Sequence, residues 1–292
     1  MNDMLIGFHK HFVLAVSLVV LLMLTSCQLL LSPMTNKISD DLASAILNHD
    51  DVSLIEDGLP AYLIMLDALI VSNPKNTKLL FAAAELNSAY AMAFVTEPER
   101  KQLMTTKAWD LATQAACMRN KKLCGIDSMS FTEVASTVSE LSLKDVPTIY
   151  GVMSTWASWL DAHQSDYGAL AQLPSVHVLL DRLLELDENY YLGAPHLYKA
   201  VLDSIIPPLL GGNLERAREH FEKVIELSSG KNLYAKVLMA KQYARLAFDR
   251  TLHDKLLNEV ISADPKVKGF TFQNVLAQKL ATELLNSADE YF

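Results

Sequence analysis

Asn213-Leu-Glu-Arg-Ala-Arg-Glu-His-Phe-Glu-Lys-Val-Ile-Glu-Leu227 decides the fold class of this chain. Its apolar residues Leu214, Ala217, Phe221, Val224 and Ile225 recur at three- and four-residue steps, which is the period of one helical face and not the alternation of a strand. Asn213 precedes the run as a side chain able to accept from an orphan helix amide, and Glu215 in the first turn suits the helix dipole. An amphipathic helix starting at Asn213 follows.

Working outward, the same period returns almost everywhere. Leu233, Val237, Ala240, Ala244 and Ala247 form a stripe rich in small residues. Leu252, Leu256, Val260 and Ile261 form a further helix, closed by Asp264-Pro265. Ala277, Leu280, Ala281, Leu284, Ala288 and Tyr291 form the last. On the N-terminal side, residues 60–71, 77–95, 99–117, 131–141, 146–160, 173–186 and 195–206 read likewise. Residues 77–95 are apolar nearly all round, as for a helix covered on more than one side. No run alternates between hairpin turns. The expected fold is all-α, with about ten helices.

Weak self-similarity runs through it. Asp67-Ala-Leu-Ile-Val-Ser-Asn-Pro74, Asp181-Arg-Leu-Leu-Glu-Leu-Asp-Glu188, Glu222-Lys-Val-Ile-Glu-Leu-Ser-Ser229 and Asn258-Glu-Val-Ile-Ser-Ala-Asp-Pro265 each end an amphipathic helix in a polar break. The last three recur at roughly 36 to 41 residues, close to a helical-hairpin repeat. Ala217-x3-Phe221 and Asp264-Pro265 suggest tetratricopeptide (TPR)-like units; an ordinary helical bundle would share the bare period.

The N-terminus carries an export signal. Lys10 precedes an apolar stretch over residues 12–24, a suitable hydrophobic region and too short for a comfortable membrane span. Leu24-Thr25-Ser26-Cys27 then looks like a lipobox, whose cysteine takes a diacylglyceryl group and, after cleavage, a further palmitate-type acyl chain. Two or three acyl chains anchor a protein stably where one holds it marginally. The division expected is a signal peptide at 1–26, a lipidated tether at 27–37 and a helical domain at 38–292. Gln28, not aspartate, follows Cys27, which under the sorting rule of enteric bacteria favours the outer over the inner membrane.

The net charge is -9 and no basic cluster is present, which argues against nucleic acid. Beyond Cys27 the chain has Cys117 and Cys124 alone, a spacing that allows a disulfide in an oxidising compartment or two thiols. A zinc site needs more ligands, and no histidine is near in sequence. Gly-x-Ser-x-Gly, phosphate-cradling and His-Glu-x-x-His motifs are all missing, so neither an enzyme nor a cofactor is expected.

Longer strings carry a family resemblance. Gly58-Leu-Pro-Ala-Tyr-Leu-Ile-Met-Leu-Asp67 leads through Asn73-Pro74 to Leu79-Leu-Phe-Ala-Ala-Ala-Glu-Leu-Asn-Ser-Ala-Tyr90. Leu183-Leu-Glu-Leu-Asp-Glu-Asn-Tyr190, Gly193-Ala-Pro-His196 and Pro207-Pro-Leu-Leu-Gly-Gly212 follow. Then come Ala217-Arg-Glu-His-Phe221, Lys231-Asn-Leu-Tyr-Ala-Lys-Val237 and Gln242-Tyr-Ala-Arg-Leu-Ala-Phe-Asp249. Together these resemble the TatT family, the T component associated with some TRAP (tripartite ATP-independent periplasmic) transporters, over residues 58–292. The resemblance implies a periplasmic lipoprotein of TPR-like helices, a homotrimer, that docks a solute-binding P component. It also implies a pore or groove for a ligand, hydrophobic in one reading. A general envelope scaffold, or a carrier of a hydrophobic ligand acting alone, are the other readings of the same features.

Several residues are candidates to line such a site, each with an ordinary structural role as its rival. Pro207-Pro208 must end a helix, and Gly211-Gly212 permits a sharp turn, at a pore mouth or simply between repeats. His196 beside Pro195 could meet a ligand carboxylate. Trp156 and Trp159 share a helical face, with Tyr150 a turn and a half earlier, that could line an apolar channel or fill a core. Tyr243 and Arg245 lie among Ala and Leu, where a buried arginine needs a carboxylate, from a ligand or from the fold.

Overall fold

The computed structural model describes residues 41–206 and 212–292. The expected signal peptide, Cys27 and the expected tether, with Pro207, Pro208 and Gly211, lie outside the described residues. Contacts divide the chain between Ala43 and Ser44, and the following concerns Ser44–Phe292. From Val52 onward there are thirteen α-helices, and no strand occurs among the described residues. They are α1 (Val52–Ser72), α2 (Thr77–Phe94), α3 (Pro98–Arg119), α4 (Phe131–Ser139), α5 (Val146–Ala162), α6 (Tyr167–Leu170) and α7 (Leu173–Asp187). After them come α8 (Ala194–Ile205), α9 (Leu214–Leu227), α10 (Leu233–Met239), α11 (Arg250–Ser262), α12 (Thr271–Asn286) and α13 (Ala288–Tyr291). The all-α expectation holds; the helices are more numerous than expected because short ones at 167–170 and 288–291 stand apart.

Helix starts follow the capping rules. Asp51, Asn76, Asn213, Asn232 and Asp249 each accept from an amide two or three residues on. Ser130 and Glu133 form a reciprocal capping box at α4. Asp51 moves the start of α1 to Val52, well before Pro60, which therefore lies inside the helix. The proline removes one amide bond. Glu56, whose carbonyl loses it, is on an exposed flank where water can replace the donor.

Neighbours in sequence pack as neighbours in space, α1 on α2, α2 on α3, α3 on α5, α5 on α7, then α8 on α9 and α11 on α12. One core gathers Trp109, Leu123, Ile149, Met153, Trp156 and Leu180; a second gathers Phe221, Val237, Leu257 and Ala277. The run of hairpins also closes on itself. Phe272 on α12 packs with Ile55, Leu59 and Tyr90 of the first hairpin and lies 6.2 Å, centroid to centroid, from Phe94. The Gly269 amide donates to Asn48 Oδ1 at 2.8 Å, and Lys266 pairs with Asp50 at 2.7 Å. No helix among the described residues is long and apolar enough to cross a membrane.

Cys117 at the end of α3 and Cys124 are joined by a disulfide, Sγ–Sγ 2.01 Å, across the short helical turn Lys121–Leu123. The bridge pins Leu123 and Ile126, both fully buried, under the end of α3.

Candidate functional site

Several of the candidate residues are absorbed by packing. Trp156 is buried, stacks on Trp109 at 4.6 Å and donates its indole N–H to Gln172. Trp159 stacks on His163 and donates to Thr106 at 3.2 Å. Arg245 finds its partners inside the fold, and none among the described residues is a carboxylate. It donates to the Leu284 carbonyl (2.9 Å), Ser287 Oγ (2.8 Å) and His253 Nε2 (3.2 Å), and its guanidinium lies 4.7 Å from the Tyr291 ring centre. Tyr243 is buried beside it, its hydroxyl 3.5 Å from Glu215. Gly212 is buried where a Cβ would stand 1.7 Å from the Ile206 carbonyl oxygen, so only glycine fits that turn.

His196 joins a polar cluster between α7, α8 and α9. Its Nδ1 lies 2.8 Å from His220 Nδ1, so one ring must donate and the other accept, while Glu188 stands 3.5 Å from Nε2. Burial depresses both rings, His220 to about 4, with the charge of its neighbour adding to the effect there. Lys199 bonds Asp181 at 2.6 Å, and Arg216 clasps both oxygens of the buried Asp203 at 2.6 Å. A cavity of about 630 Å³ opens between these elements, lined by Asp181, Leu184, Glu185, Lys199, Arg216 and His220. Its charges are mostly spent on each other.

A second place is chemically less settled. Glu85 on α2 has an exposed side chain, yet burial by its surroundings pushes its carboxyl up to about 7, against the pull of Arg119. Open to water yet crowded by protein that disfavours its charged form, the group sits in a recess of the surface. Around it are Tyr150 of α5, Tyr198 of α8 and the turn residues Tyr190 and Tyr191, all of which feel its charge or touch rings that do. Tyr150 packs against Tyr190, Tyr191 and Tyr198 with centroids 5.2, 5.3 and 6.2 Å away. Burial raises the hydroxyls of Tyr150, Tyr190 and Tyr198, and also that of Tyr234 on α10, so all stay neutral donors. The wall is thus drawn from α2, α5, α8 and the turn ahead of α8.

Backbone strain holds its rim. Tyr191 and Leu192 both take left-handed φ, 44° and 56°, before Gly193 at 89°. Such conformations cost about 1–3 kcal/mol each for residues with a Cβ, and they tend to persist where a site needs them. Here they hold the largely exposed Tyr191 ring against Tyr190 and Tyr150.

Of this recess, the sequence marks only Tyr150 as a candidate to line a channel. A further legible signal is Glu85 itself, a lone carboxylate in Leu79-Leu-Phe-Ala-Ala-Ala-Glu-Leu, in a helix apolar nearly all round. The other tyrosines carry no such mark, because Tyr190-Tyr191 follow a helix end and Tyr198 sits at an ordinary apolar position.

The chain is 24% identical over 273 residues to an uncharacterized protein of Treponema pallidum (strain Nichols), covering 86% of this chain and 84% of that one. The model of the TRAP transporter T-component family matches residues 48–292, taking in every helix described above. By that match, the chain belongs to the TRAP transporter T-component family.

Proposed function

We propose that this chain is an exported lipoprotein, held at the membrane by acylated Cys27, that serves a TRAP transporter by docking its solute-binding P component. It works as a homotrimer on the periplasmic side of the outer membrane, and it carries out no reaction of its own. The tyrosine-walled recess offers a passage for a largely apolar ligand moving to or from the P component. Family membership over residues 48–292 supports the transporter role. What supports the ligand passage is the packed cluster of Tyr150, Tyr190, Tyr191 and Tyr198 beside the exposed Glu85. A carboxylate ligand has less support, since Arg245 and His196 are engaged within the fold.

The test is affinity capture of the full chain from detergent-solubilised membranes. The P component encoded beside it is expected in stoichiometric amount, and Cys27→Ala should release the complex from the membrane fraction. Capture of an unrelated envelope protein in its place would favour a general scaffold and remove the transporter role.

A further inference from the structure

Phe81, one turn before Glu85 on α2, is wedged at the glycine gap of α5. A Cβ on Gly151 would come within 2.5 Å of its ring. The Arg119 guanidinium covers the same ring at 4.7 Å. Tyr150 adjoins Gly151, so the face of α2 that carries Phe81 and Glu85 meets α5 at the level of the tyrosine cluster.

The Glu85 carboxylate has no hydrogen-bond partner among the described residues, and the charge of Arg119 reaches it only through space. Arg119 is held off by its own contacts. It donates through Nε to Thr77 Oγ1 at 3.1 Å and through Nη1 to Thr148 Oγ1 at 3.5 Å, besides covering Phe81. A carboxylate crowded by protein and given no donor by the fold is open to a partner, and a cation suits it better than a neutral hydroxyl does. The rings beside it add their own preference, because an aromatic face attracts a cation, most of all where water is scarce. A ligand carboxylate would meet repulsion from Glu85 and find the nearest guanidinium already occupied.

We propose that Glu85 and the rings of Tyr150, Tyr190, Tyr191 and Tyr198 form a subsite for the ammonium end of an amphiphilic amine, whose apolar remainder lies along the recess. This rests on the ligand-passage reading above and names the ligand class for it. The groups facing Glu85 are Arg119 from α3, Tyr150 from α5, Tyr190 and Tyr191 from the strained turn and Tyr198 from α8. Arg119 keeps its charge, and the raised Tyr150, Tyr190 and Tyr198 keep their protons, across the neutral range. Glu85, held up to about 7, is the group that titrates there. Its proton competes with a bound cation, so affinity falls as pH drops through 7.

Calorimetric titration of the detergent-solubilised full chain with three probes matched in tail, butyltrimethylammonium, butyrate and butanol, tests this at pH 8 and pH 6. The ammonium probe should bind, about tenfold more weakly at pH 6 than at pH 8, as expected when a group titrating near 7 must be ionised. Glu85→Gln should weaken it at least tenfold at pH 8 and remove the pH dependence, with the melting temperature unchanged or raised. Tyr191→Leu, on an exposed ring, should weaken it a fewfold without loss of fold. Butyrate or butanol binding as tightly as the ammonium probe, or undiminished binding to Glu85→Gln, overturns the subsite while leaving a ligand passage intact. No binding of any probe rejects the subsite and the passage together.

Discussion

Asp203 is the residue whose environment is least forgiving. Its carboxylate has no exposed surface, and Arg216 meets both oxygens in the forked geometry that suits guanidinium to carboxylate. The Asn213 amide adds a bond to its carbonyl at 2.8 Å, so α8 and α9 are joined at this corner by charge and backbone together. Arg216→Met would strand the carboxylate; breaking a fully buried pair one partner at a time costs about 3–5 kcal/mol, and the 40% exposure of the Arg216 side chain puts this pair at or below the lower end. We expect that loss in the midpoint of urea unfolding, with most of it recovered in the double variant Asp203→Leu/Arg216→Met. A double variant as unstable as the single one would show that the clasp is not what Arg216 contributes. None of this is legible in the sequence. Arg216 stands among Glu215, Arg218 and Glu219, the look of a solvated face, and its partner is thirteen residues back on another helix. Glu85 is the opposite case, because a carboxylate in a helix apolar nearly all round marks an unusual environment by its sequence neighbours alone.

At the scale of elements, sequence reading succeeds where one face decides and fails where two compete. The stripe of α9 has a single buried side, Ala217, Phe221 and Val224, and both its cap and its extent match the sequence. The next stripe, Leu233 to Ala247, does not run through as one α-helix. Residues Ala240–Ala244 form a π turn, and the extra residue it absorbs leaves Ala244 buried and turns Ala247 out to solvent. Arg245, just beyond, is thereby aimed at Leu284 and Ser287, which ties this hairpin to α12. Close approach is the other feature that period alone cannot reveal. Gly151 lets Phe81 press against the backbone of α5, so Gly151→Ala should force the ring aside and cost about 1–3 kcal/mol by overpacking. The check is a thermal melt paired with tryptophan fluorescence, since Trp156 lies a turn and a half further along α5. A variant as stable as the parent would mean the ring has room to move.

For the molecule as a whole, the decisive contact is between its ends. Fold class follows from period at every helix, but nothing in the sequence couples Asn48 to Gly269, 221 residues apart, or Phe94 to Phe272. These pairings join the last helices to the first and turn a row of hairpins into a closed one. The polar part of the seam is weak: Lys266 and Asp50 are both well exposed, and solvent screens such pairs. Phe272, half-buried against Ile55, Leu59 and Tyr90, must therefore supply most of the join. Phe272→Ala should remove about 2 kcal/mol, roughly half the loss seen for a fully buried phenylalanine. Because Phe272 packs into a small cluster of its own, with Ile55, Leu59, Leu63, Tyr90 and Val95, apart from the two larger cores, the loss should be local. Hydrogen exchange is expected to quicken in α1, the end of α2 and the start of α12, while α5, α7 and α9 keep the protection of the parent. Uniform loss of protection would show that the seam belongs to one cooperative core. Unchanged exchange would show that the hairpins hold their closure without it.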